Sequence, residues 1–85
     1  MIFKTFDECV KHLLNSKTIE KPEQAIVPIY VVKDVFLKHP VIGVITDPEE
    51  KNKLVEDYCV KTNEYKGIEI TQFEINLLTT TIKLV

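Results

Sequence analysis

Residues 25–46 read AIVPIYVVKDVFLKHPVIGVIT, and the way this stretch folds decides the class of the whole chain. Ala25 to Val32 is apolar and β-branched, a composition that fits a pleated strand better than a helix. Pro28 interrupts it. Proline has no amide to give to a ladder, so a strand through Pro28 is expected at a sheet edge. A rival reading makes Pro28 the first residue of a helix running to His39, a position where proline is tolerated. Val35, Phe36 and Leu37, followed by Lys38, His39 and Pro40, resemble a helix end. The reading adopted is a short strand followed by about two turns of helix. Val41 to Thr46 (VIGVIT) is a continuous apolar run, the pattern of a buried strand.

Downstream lies the clearest helix signal. Asp47 is a good N-cap, Pro48 takes the first helical position, and Glu50 completes a D-x-x-E box. Glu49 and Glu50 also suit the positive end of the helix dipole. Leu54, Val55, Tyr58 and Cys59 form the buried face, Glu49–Lys53 and Asp57–Lys61 are i,i+4 ion pairs, and the helix is expected to stop between Thr62 and Gly67. Upstream, Thr5 and Glu8 form a capping box for a helix from Thr5 to Asn15. Phe6, Cys9, Val10, Leu13 and Leu14 make its single apolar stripe. The polar segment 16–24, with Pro22, reads as a connection.

The C-terminal segment has two readings. Ile68 and Ile70 alternate with Glu69 and Thr71, and Phe73, Ile75 and Leu77 alternate with Gln72, Glu74 and Asn76. The phase then flips, so that Leu78, Ile82 and Leu84 share a face. Strands separated by turns or bulges account for this. A helix capped by Thr71 and Glu74 is the alternative, but three successive threonines (79–81) are poor helix material. The expected fold is therefore α+β: two amphipathic helices packed on a small, mainly antiparallel sheet. An all-α bundle and a winged-helix-like arrangement are the alternatives.

Composition narrows the function. The 85 residues make one small domain, which buries only about 60–65% of its unfolded surface, so a partner for its apolar surface is expected. Ten Val, ten Ile and eight Thr stand against a single alanine. There are eleven lysines and no arginine, so the planar two-pronged grip on phosphates and guanine edges is missing. The net charge is −2, where a nucleic-acid binder is expected to carry a basic face. In a winged helix, 48–61 would enter the major groove, yet Glu49 and Glu50 lead it. Charge breaks the N-terminus before any secretory apolar run can form. The longest uncharged apolar run, Ala25 to Val32, is far shorter than the roughly 20 residues of a membrane span. A soluble, cytoplasmic protein is expected.

No chemical constellation stands out. Cys9, His12, His39 and Cys59 could complete a tetrahedral zinc shell, but their spacing lacks the tight knuckle of such sites. Both cysteines lie on apolar helical faces, where free cysteine packs as a small hydrophobe; a Cys9–Cys59 bridge is the other possibility. A Cys9–His12 nucleophile pair has Asp7 and Glu8 beside it and no third orienting group. Two glycines, Gly43 and Gly67, exclude a glycine-rich phosphate cradle. The expectation is a non-enzymatic interaction or regulatory protein, with no catalytic residue, cofactor or metal. It would act through a Val/Ile-rich edge at Ile26, Val27, Ile29, Tyr30 and Val31, binding a protein partner or a second copy of itself, with no membrane partner. The alternatives are a winged-helix DNA-binding regulator and a small metal-dependent enzyme.

Overall fold

A computed structural model of the chain describes residues 1–16, 21–63 and 66–85. Helix α1 spans Phe6–Asn15, strand β1 Ile26–Asp34 and strand β2 Val41–Ile45. Helix α2 spans Pro48–Thr62, strand β3 Ile68–Asn76 and strand β4 Thr81–Leu84. The strands form one antiparallel sheet in the order β2-β1-β3-β4. This is the expected α+β class, and the described residues do not form an all-α bundle. No helix among the described residues is long and apolar enough to cross a membrane.

Three features of the structure differ from those the sequence predicts. The first concerns 35–39, which is a turn and not a helix. Asp34 closes it: its Oδ1 accepts from Phe36 N at 3.1 Å, and its carbonyl accepts from Leu37 N at 3.1 Å. Asp34 N donates in turn to Pro40 O at 2.8 Å, so the hairpin is sealed before a helical turn can start. The second concerns β1, which is an inner strand and not an edge. It pairs with β3 along its whole length and with β2 from Tyr30 onward. The third concerns the box at Asp47. Its Oδ1 accepts from Glu49 N at 2.8 Å, but the Glu50 carboxylate bonds the Met1 ammonium.

Pro28 nevertheless sits where β1 is locally unpaired on one side. Ala25 O accepts from Leu77 N and Val35 N donates to Gly67 O, which fixes the phase of the β1–β3 ladder. In that phase the odd residues of β1 bond β3, and the even ones point the other way. Pro28 is even, and β2 reaches only as far as Tyr30. The missing amide therefore faces a gap that no strand of the described residues fills.

Helix α1 opens on Thr5, whose hydroxyl accepts from Glu8 N at 3.1 Å. Its apolar stripe lies on one face of the sheet. Cys9 is fully buried there with Ile29, Val31, Val44, Ile75 and Leu77, ringed by Phe3, Phe6, Val10, Leu13, Leu14, Val27 and Phe73. Helix α2 lies on the opposite face, over the even positions of β1. Lys51 Nζ stands 4.7 Å from the Tyr30 ring centre, and Tyr58 reaches Asp34. Leu54 is so close that a Cβ on Gly43 would lie 2.7 Å from its Cδ2. The helix ends at Thr62, and Asn63 takes the left-handed conformation (φ 55°), as expected of a C-terminal cap. Of the predicted connection 16–24, residues 17–20 lie outside the described residues.

Candidate functional site

The two borders of the sheet are finished differently. Beside β2, the even residues of β1 hold the inner ladder, so Val44 turns its amide and carbonyl outward. Phe3 meets both: its N donates to Val44 O, and Val44 N donates to Phe3 O, each at 2.9 Å. The β2 border is closed at that point by the chain's own N-terminal segment.

The β4 border is open. Val85 N donates to Gln72 O at 3.0 Å, so Val85 and Gln72 are a hydrogen-bonded pair. Counting back along the register, Lys83–Glu74 and Thr81–Asn76 are bonded pairs too, whereas Ile82–Ile75 and Leu84–Phe73 are not. The amides and carbonyls of Ile82 and Leu84 therefore point away from the sheet, and no described residue pairs with them. All four residues of β4 are exposed. The preceding turn is fixed by Asn76, whose Oδ1 accepts from Leu78 N (2.9 Å) and Thr79 N (3.3 Å).

The side chains of β4 divide by face. Ile82 and Leu84 lie opposite Ile75 and Phe73, on the side covered by α1. They extend that core past its last strand and stay 42% and 66% exposed. The Phe6 and Phe73 rings, 5.1 Å apart, form the inner end of this apolar slope. Thr81 and Lys83 lie on the other face, where α2 packs chiefly over β1 and β2. Lys83 Nζ is 3.5 Å from Glu74 Oε2. With Ile26, Asn76 and Thr81 these two line a shallow depression of about 270 Å³.

The predicted interface residues do not form one surface. Strand alternation sends Val27, Ile29 and Val31 toward α1, where Ile29 and Val31 are buried. Ile26 and Tyr30 point to the opposite face, Ile26 exposed and Tyr30 half-buried under Lys51. The four candidate zinc ligands are scattered as well. Cys9 and Cys59 are free, buried and separated by the sheet, His12 packs on Phe3, and His39 sits in the exposed β1–β2 turn. The described residues contain no group of three or more His, Cys, Asp or Glu side chains placed to hold a metal. Burial raises the Cys9 thiol to about 11, which suppresses the thiolate that nucleophilic chemistry needs.

No protein-family model, no curated protein and no solved structure matches this chain. The site therefore rests on its own geometry.

One further polar feature escaped the sequence reading. Asp34 is the one buried charged residue among those described. Its Oδ2 accepts from the Tyr58 hydroxyl at 2.6 Å and its Oδ1 from Phe36 N, so it ties β1, the turn and α2 together. A Cβ on Gly67 would lie 2.7 Å from Asp34 Oδ1 and 2.5 Å from Phe36 Cδ2, so this corner needs glycine for space. The carboxylate is already engaged by these partners, which makes it a clamp. In sequence, an aspartate at the end of an apolar run reads as nothing more than a turn residue.

Proposed function

We propose that this chain is a small non-enzymatic interaction protein that takes an extended segment of a partner protein onto its sheet beside β4. The observation that carries this reading is the outward set of backbone groups on Ile82 and Leu84, set beside exposed apolar side chains of the same two residues. Strand addition uses those two elements: main-chain hydrogen bonds supply affinity, and alternate side chains supply selectivity. An exposed apolar edge also invites uncontrolled pairing unless it is short or charged. Here β4 is only four residues long and carries Lys83, which fits an edge meant for limited, selective use.

The test removes outward donors without touching the inner ladder. Ile82→Pro and Leu84→Pro each delete an amide that points away from β3, whereas Ile82→Thr keeps it. Peptides would be selected from a displayed random library on the immobilised wild-type chain and re-measured on the three variants. Binders that lose at least tenfold in affinity on the proline variants and little on Ile82→Thr support the reading. Selected peptides that bind all variants equally, or a selection yielding none, would refute it.

A further inference from the structure

We infer that Lys83 selects the added strand: it disfavours a second copy of β4 and favours a foreign segment with an acidic residue between two apolar ones. This rests on the strand-addition reading above and specifies its partner.

Register limits how two copies of β4 can pair. A two-fold antiparallel pair of β4 strands that uses the outward groups of both Ile82 and Leu84 must set Ile82 opposite the partner copy's Leu84. Lys83 then stands opposite Lys83 of the other copy. Because Ile82 and Leu84 would be the bonded pairs, the lysines would form a non-bonded pair, the class with the closest side chains, with Cβ atoms roughly 4.5 Å apart. Like charges directly opposite are destabilising. Centring the pair on Ile82 avoids that contact but brings Leu84 opposite Thr80. Thr80 has φ 56°, a left-handed conformation that cannot continue a strand. The two self-pairings that engage the outward groups of Ile82 therefore carry a built-in penalty.

A foreign strand removes the penalty by changing one residue. Opposite Ile82 and Leu84 it presents apolar side chains, which continue the slope of Phe6 and Phe73 on the α1 face. Opposite Lys83, on the other face, it presents a carboxylate. Glu74 also faces Lys83, from the inner side, and the depression they share is otherwise lined by the neutral Ile26, Asn76 and Thr81. Glu74 would lie two strand spacings from the new residue, roughly 10 Å, whereas Lys83 is its direct neighbour. The Lys83 side chain is 77% exposed, so its ammonium keeps donors free for a second carboxylate.

Three fluorescein-labelled peptides of alternating valine and threonine decide the matter, differing only in one central polar position, which is Glu, Thr or Lys. Anisotropy titrations on the full chain at low salt should rank them Glu, Thr, Lys, with about fivefold between the extremes. The ranking should flatten at high salt. It should vanish on Lys83→Thr, a variant that keeps a strand-forming residue at the site, and reverse on Lys83→Glu. Equal, proline-sensitive affinities for all three peptides would overturn the charge selection and leave strand addition standing. No binding of any peptide, or binding indifferent to Ile82→Pro, would overturn both. Sedimentation equilibrium provides the second arm. The wild type should remain monomeric where Lys83→Thr begins to dimerise; a wild-type dimer that Ile82→Pro dissociates would make a second copy the occupant and overturn the inference.

Discussion

At the β2 border, both outward groups of Val44 are taken up by Phe3, and the Val44 side chain is fully buried. At the β4 border the corresponding groups of Ile82 and Leu84 face solvent, and the side chains beside them are exposed. The same antiparallel geometry thus gives one border that is part of the core and one that is available. Closure at Val44 is made by a single bridge to Phe3 in the N-terminal segment. The open border is the one whose outer strand carries a lysine in its middle.

The two borders should respond most differently to one and the same substitution. Val44→Pro and Ile82→Pro each remove an outward-pointing amide. At Val44 the loss leaves Phe3 O without its donor and reshapes a fully buried position, with an expected cost of about 3 kcal/mol in chemical denaturation. At Ile82 no partner is lost, and the cost is expected to stay below about 1 kcal/mol. Equal costs would mean that the two borders are not energetically distinct.

The closed side also shelters Cys9. Its thiol is raised to about 11 against an ordinary value of 9.0, because burial disfavours the charged form. At pH 8 that difference alone lowers the thiolate fraction about a hundredfold. Native protein should therefore label at Cys9 at least that much more slowly than denatured protein with a thiol-specific reagent, read by mass spectrometry of the Cys9 peptide. The linkage has a definite sign. The folded state holds this proton more tightly, so the contribution is full below about pH 9 and is lost as pH rises toward about 11. Rapid native labelling at pH 8 would show that α1 does not stay seated on the sheet.

Asp34 tests whether the far end of the closed side depends on its polar clamp. Asp34→Ala removes the acceptor for the Tyr58 hydroxyl and for Phe36 N, with an expected loss of about 2 kcal/mol. Tyr58→Phe should cost about half of that. Neither change should alter peptide binding at β4, because the clamp and the open border share no residue. A binding defect in Asp34→Ala that persists at full folding would join the two regions and undo the contrast.

These regions were not equally legible in the sequence. Both helices are readable because their signals are local: Thr5 and Asp47 cap them, and the apolar spacing of Phe6, Cys9, Val10, Leu13 and Leu14 names the buried stripe. The alternation of Ile68 to Leu77 likewise gives β3. Strand order is a long-range property and is not written locally. Pro28 points to an unpaired amide, and that much is correct, but it cannot say that the unpaired stretch lies at one end of an inner strand. The five residues expected at the interface are neighbours in sequence, and period-two alternation therefore divides them between the faces. For β4, the available clue was lysine between isoleucine and leucine in a short terminal strand, a common way of blunting an edge. The helix expected at 35–39 lost to the Asp34 turn, where the side chain competes for the same amides a helix would need.

The smallest expected effect lies on the open border and is the most specific to it. Glu74 and Lys83 face each other across the β3–β4 ladder at 3.5 Å, with Lys83 largely in solvent. Solvent screening limits such a pair to a few tenths of a kcal/mol, so Glu74→Gln should change stability by less than about 0.5 kcal/mol. Its effect on recognition should run the opposite way. Without Glu74 the Lys83 ammonium has one fewer carboxylate to share, and an acidic peptide should bind slightly tighter at low salt, by up to about twofold. The two readouts must separate: a variant that loses stability and acidic-peptide binding together would mean that Glu74 holds β4 in place, and that the open border is less independent of the core than the exposure of Ile82 and Leu84 implies.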